Sequence, residues 1–121
     1  MAHSSDTHNP ARPAAGLRLC ALDEIADPGS KGFRFRADSR LFAAFVVRSG
    51  DLLAGYLDQC PHAGWPLGFD DRYLTRAGDH ILCAGHGALF ALTGQGVTTP
   101  CVGEQLTPWP IAVRDGAVFT A

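Results

Sequence analysis

The strongest constraint on the fold lies near the end of the chain. There Ile111-Ala-Val113-Arg-Asp115-Gly116-Ala-Val118-Phe119 sets alternating apolar residues on either side of Asp-Gly. Asp-Gly tolerates positive φ at both positions, the geometry of a two-residue hairpin, so this stretch predicts two antiparallel strands. Leu17, Leu19 and Ala21 alternate in LRLCAL over 17–22, and Phe33 and Phe35 alternate with Arg34 and Arg36, which predicts two more. A polar turn holding Pro28-Gly29 is expected from Asp23 to Lys31. Leu41 to Val47 fits helix or strand by periodicity, but its length and Phe45-Val46-Val47 favour strand. Arg48-Ser49-Gly50-Asp51 then reads as a turn into a strand over Leu52–Leu57. The 14 Gly and 8 Pro exceed the usual share of about 12% and point to many turns and few long helices. The expected fold class is all-β, built of short antiparallel strands.

A chain of 121 residues makes one domain. With 46% hydrophobic and 18% charged residues it can build an ordinary core. A net charge of −2 argues against nucleic acid as a partner, because neutralising phosphates needs an excess of Lys and Arg. No apolar run approaches the ~18–20 residues of a membrane span. The first sixteen residues, MAHSSDTHNPARPAAG, lack the apolar core of a secretory signal; they are expected to be a flexible leader, with the folded domain over 17–121. Four cysteines without an export signal suggest reduced thiols available to a metal, and a cytoplasmic location.

Between the two β-rich ends, Cys60 to Cys101 holds three of the four cysteines and three of the five histidines. Its seven glycines from Gly64 to Gly96 leave loops that packing alone would not fix. Two motifs offer a tie: Cys60-Pro61-His62 and Cys83-Ala84-Gly85-His86, twenty residues apart. Two soft thiolates and two imidazoles suit either Zn²⁺ or an iron–sulfur cluster. Paired zinc ligands are usually separated by two to four residues, and one is short for that. A single intervening residue is more natural where the two side chains go to different metals.

At these residues the sequence resembles the Rieske [2Fe–2S] family, whose signature is C-x-H followed by C-x-x-H. Cys60-Pro-His62-Ala-Gly64-Trp-Pro-Leu67 is similar to the first loop and Cys83-Ala-Gly-His86-Gly87-Ala-Leu-Phe90 to the second. Pro100-Cys101, Leu106, Trp109-Pro110-Ile111 and the Asp115-Gly116 hairpin are similar to the closing segment. The resemblance implies a β-sandwich with a small inserted cluster-binding subdomain at about 58–101. It implies that Cys60 and Cys83 hold the inner iron of a [2Fe–2S] cluster and His62 and His86 the outer one. The spacer is somewhat longer than the commonest form, which leaves the conformation of 69–80 open.

High-potential relatives join their loops by a disulfide and donate to the cluster from a serine and a tyrosine. The matching positions here are Trp65 and Gly85, Ala88 and Phe90, so the resemblance implies no disulfide and no hydroxyl donors. Two missing bonds lower the midpoint by roughly 100–250 mV, at ~59 mV per 1.4 kcal/mol, to about −150 to 0 mV.

Cys101 is expected to be a small buried residue near the cluster, Cys20 plain core, and His80 a solvent-facing residue and the substitute ligand should the pairing differ. Trp65 either shields the cluster or joins an apolar docking patch. Arg72, Arg76, Asp70, Asp71 and Asp79 read as a solvated connection, and His3 and His8 have no assigned role. The implied function is a stand-alone ferredoxin, a one-electron carrier rather than an enzyme, monomeric or weakly oligomeric. Its partners are a reductase, of flavoprotein type, and a terminal oxygenase or similar acceptor. The alternatives are a zinc-stabilised binding module and a fixed relay subunit of a larger oxidoreductase.

Overall fold

The computed structural model describes residues 9–61, 64–68, 70–85 and 87–121. Its strands are β1 (Arg18–Ala21), β2 (Gly29–Ala37), β3 (Arg40–Ser49), β4 (Leu52–Leu57), β5 (Ile81–Leu82), β6 (Leu89–Phe90), β7 (Ile111–Arg114) and β8 (Ala117–Thr120). They form three antiparallel sheets, ordered β1-β8-β7, β2-β3-β4 and β5-β6. The all-β expectation therefore holds.

Tight turns set the registers. Arg114 pairs with Ala117, which leaves Asp115 at φ 52° and Gly116 at φ 74° as the two-residue turn read from the sequence. Ser49 pairs with Leu52 around Gly50-Asp51. A third hairpin, Ala37 with Arg40, turns on Asp38-Ser39 with Asp38 at φ 55°.

β3 is the hinge between two cores. Phe42, Ala44 and Val46 pack with Cys20, Ile25, Leu57, Trp109 and Val118 between the two larger sheets. Phe45 and Val47, on the opposite face, pack with Tyr56, Tyr73, Ile81 and Phe90 under the loop region. From Ala44 to Val47 the strand is buried on both faces, which needs apolar residues at every position and explains why this stretch lacks alternation. The Phe45 and Tyr73 rings stack at 4.2 Å, a contact worth about 0.5–1.5 kcal/mol beyond its buried area.

Two expectations need correction. The polar turn from Asp23 to Lys31 ends early, because Gly29, Ser30, Lys31 and Gly32 already pair with Arg48, Val47, Val46 and Phe45. Their small and polar side chains hid a strand whose register the long partner β3 imposes. The first strand also ends at Ala21: Leu22–Glu24 form a 3₁₀ turn, with the Glu24 carboxylate accepting from the Ala21 amide at 2.9 Å.

Residues 1–8 of the expected leader lie outside the described residues. Residues 9–16 lie along the sandwich: Ala11 is buried, Asn9 Nδ2 donates to the Leu41 carbonyl at 2.9 Å, and the Gly16 amide donates to the Thr120 carbonyl at 2.8 Å. Among the described residues no helix is long and apolar enough to cross a membrane.

Candidate metal centre

Two loops leave the second core side by side and are stitched alike. In the first, the Cys60 amide donates to the Trp65 carbonyl at 2.8 Å and the Gly64 amide to the Cys60 carbonyl at 2.6 Å. In the second, the Cys83 amide donates to the Ala88 carbonyl at 2.9 Å and the Gly87 amide to the Cys83 carbonyl at 2.8 Å. Each loop thus closes from a cysteine to the fifth residue on, with a glycine at the fourth. Gly64 and Gly87 stand at φ 81° and 77°, the left-handed region that glycine enters without steric cost. Three residues beyond each glycine, Leu67 and Phe90 are fully buried and anchor the loops. The repeated spacing Cys-x₃-Gly-x₂-apolar is present in the sequence, but ligand spacing alone does not single it out.

The loops also bind each other and their base. The Ala84 amide donates to the Leu67 carbonyl at 2.7 Å, directly from one loop to the other. Asp58, a buried carboxylate two residues before Cys60, accepts from the Leu67 amide through Oδ1 at 2.7 Å and from the Tyr73 hydroxyl through Oδ2 at 2.9 Å. Arg34 Nη2 approaches Oδ2 at 3.9 Å from β2. Sequence reasoning missed Asp58, because nothing in the sequence marks this Asp as buried. Asp71 is more than a solvated charge: its Oδ1 accepts from the Gly32 amide and its carbonyl from the Ser30 hydroxyl, both at 2.7 Å.

Cys60 and Cys83 each have no solvent exposure, and neither does Cys101. Burial pushes the Cys101 thiol up to about 11, helped by Cys60, which also hydrogen-bonds to it, and by Cys83. The three cysteines belong to one buried cluster, and Cys101 is buried as expected. The Cys101 turn sits so close to the β6 side that a Cβ on Gly96 would collide with the Cys101 carbonyl oxygen.

The other two expected ligands, His62 and His86, lie outside the described residues, as do Ala63, Phe69 and the histidines His3 and His8. Among the described residues no three His, Cys, Asp or Glu side chains are grouped to hold a metal. His80 is partly exposed and its Nδ1 lies 3.2 Å from Asp79 Oδ1, a partner on its own turn. Cys20 is core, opposite Val118. Trp65 is 47% exposed and its indole lies over Gly85. Ala88 and Phe90 are buried in the same cluster as Cys60 and Cys83, with no hydroxyl to offer. Among the described residues, which include all four cysteines, there is no disulfide.

Residues 17–113 match the family described as Rieske [2Fe–2S] domain. No curated protein matches the chain. The chain resembles the ferredoxin of carbazole 1,9a-dioxygenase from Nocardioides aromaticivorans IC177, with a TM-score of 0.68 and 24% identity over 89% of this chain and 98% of that one, a likeness of fold. It resembles a chain in the complex of reduced oxygenase and oxidized ferredoxin of carbazole 1,9a-dioxygenase, with a TM-score of 0.66 and 27% identity over 87% of this chain and 91% of that one. The Sphingomonas yanoikuyae B1 ferredoxin gives a TM-score of 0.61 and 25% identity over 86% and 95%. The family match covers most of the chain, including both stitched cysteine loops, and the chain belongs to the Rieske [2Fe–2S] domain family, whose cofactor is a [2Fe–2S] cluster.

Proposed function

We propose that Cys60, His62, Cys83 and His86 hold the [2Fe–2S] cluster, the thiolates on the inner iron and the imidazoles on the outer, and that the protein is a one-electron carrier. The observation that carries this is the pair of loops with matching backbone bonds, each burying its cysteine completely in the same cluster. The donor set fits the group: two buried thiols are present, and in the sequence one histidine follows two residues after Cys60 and the other three after Cys83. When bound, such a cluster accepts and returns one electron at a time, and neutral imidazoles in place of two thiolates favour reduction.

The remaining residues serve as a scaffold. Asp58, Leu67 and Ala84 fix the loops against β2 and against each other, so little needs to move on electron transfer. Recesses of about 210 and 380 Å³ flank the sheets, lined by residues such as Phe42 and Pro66, or Arg34 and Tyr73, and neither lining includes a cysteine. The carrier role is the one that the family match and the likeness to a ferredoxin support. The Rieske-type domain is counted from about 17 to 121, with residues 9–16 packed along it and its cluster-binding part at about 58–101. A flavoprotein reductase supplies the electron and a terminal oxygenase takes it; the likeness to a ferredoxin in complex with an oxygenase supports that acceptor. We infer a reducing, cytoplasmic setting, in keeping with thiols assigned to a cluster rather than to a disulfide framework.

The test is an iron and acid-labile sulfide assay on anaerobically purified protein, with electron paramagnetic resonance after dithionite. Two irons and two sulfides per chain, with an average g below 2 lost in Cys83→Ala and altered in His62→Ala, are expected. A colourless protein carrying one zinc per chain would overturn the proposal.

A further inference from the structure

Trp65 and Gly85 meet across the two loops. A Cβ on Gly85 would lie 3.0 Å from Trp65 Nε1, 3.3 Å from Cε2 and 3.6 Å from Cζ2, so the edge of the indole rests on the bare backbone of the second loop. A Cβ at 85 would sit closer than ordinary contact, so the ring would have to give by a few tenths of an ångström. Trp65 is also the residue whose carbonyl closes the first loop on the Cys60 amide, at 2.8 Å. Two residues further on, the Leu67 carbonyl takes the Ala84 amide at 2.7 Å. The indole contact and this hydrogen bond thus join the same stretches of both loops. Trp65 is 47% exposed, so the residue touches the second loop and solvent at once.

We propose that Trp65 seated on Gly85 is a non-covalent clasp across the cluster loops, which governs how readily they part and therefore how fast the cluster is lost. The proposal rests on the assignment of Cys60 and Cys83 as the cluster's thiolates. A disulfide across two loops holds them covalently; a ring on a glycine holds them reversibly, through contact area and exclusion of water. Trp65 acts through the loops and touches Cys60 by its backbone, so it is a positioning residue.

The experiment follows loss of visible absorbance in excess iron chelator for the holoprotein, Trp65→Ala, Trp65→Phe, Gly85→Ala and the double variant Trp65→Ala/Gly85→Ala. Trp65→Ala should bleach roughly tenfold faster, the scale of one lost aromatic contact. Trp65→Phe should restore most of the lifetime. Gly85→Ala, which displaces the ring only slightly, should bleach faster than wild type but slower than Trp65→Ala, and the double variant should be no faster than Trp65→Ala, because once the ring is gone the methyl has nothing to displace. Visible circular dichroism should change in Trp65→Ala and return in Trp65→Phe. Wild-type bleaching rates in Trp65→Ala, or single effects that multiply in the double variant, would overturn the clasp. Absence of iron and sulfide from the wild-type protein would instead sink the ligand assignment. The clasp is then read from hydrogen exchange at the Cys60 and Ala84 amides: faster exchange in Trp65→Ala supports it and unchanged exchange overturns it.

Discussion

The Tyr73 hydroxyl donates to Asp58 Oδ2 at 2.9 Å, from a residue on the connecting segment to one at the foot of the first cysteine loop. The other oxygen of the same carboxylate holds the Leu67 amide. Asp58→Ala leaves a buried amide and a buried hydroxyl without their acceptor, at about 1–3 kcal/mol each. The expected cost is roughly 2–5 kcal/mol by urea denaturation. Asp58→Asn should cost less, about 1–2 kcal/mol, since its oxygen still accepts from Leu67 and its amide can donate to the Tyr73 oxygen.

Alkaline pH should destabilise the protein through the same pair. Burial, then the charge and hydrogen bond of Asp58, raises the Tyr73 phenol well above its ordinary value. An unfolded tyrosine ionises near pH ~10. Below that pH both states keep the proton and this group gives no pH dependence. Above it the unfolded chain releases the proton and the folded one does not, so stability falls as pH rises. Denaturation midpoints should drop beyond pH ~10, and Tyr73→Phe should flatten part of that drop while costing ~1–3 kcal/mol at neutral pH. Some slope should survive from Tyr56, which burial also raises.

Two glycines beside the site should respond differently to alanine. A Cβ at Gly96 would run into the Cys101 carbonyl oxygen, which is backbone and cannot swing aside. Gly96→Ala should cost about 3 kcal/mol or more and yield protein poor in iron. Gly87 has φ +77°, and a Cβ added there would meet nothing within 4 Å, so Gly87→Ala faces only backbone strain of roughly 1–2 kcal/mol. Thermal melts and iron content of the two variants side by side check the order.

The midpoint potential should lie at about −150 to 0 mV by protein-film voltammetry. Ala88 and Phe90 are buried in the same cluster as Cys60 and Cys83, at the positions matched to the hydroxyl donors of high-potential relatives. Ala88→Ser should raise the midpoint by roughly 60–130 mV, the worth of one hydrogen bond to a charged acceptor. A wild-type midpoint above about +150 mV would contradict this account of the low potential.

Local patterns were legible where one residue type answers one geometric demand. Asp115-Gly116 marked its hairpin because few pairs accept positive φ at both positions. Gly29–Gly32 did not read as strand because the long-range partner Phe45–Arg48 supplies its bonds, and its own side chains carry no period. Likewise the unbroken run in β3 became intelligible once both of its faces were seen to be buried.

The amino-acid order by itself determined the chemistry on offer: two cysteine–histidine pairs, glycines four residues past each cysteine, and no hydroxyl at 88 or 90. It could do so because donor type and local spacing are properties of neighbouring residues. Only the tertiary structure decided that Asp58 is buried under Leu67 and Tyr73, that Cys101 shares the buried cluster of Cys60 and Cys83, and that Trp65 rests on Gly85. Those relationships join residues far apart in the chain, and their partners are set by sheet register and packing rather than by spacing along the backbone.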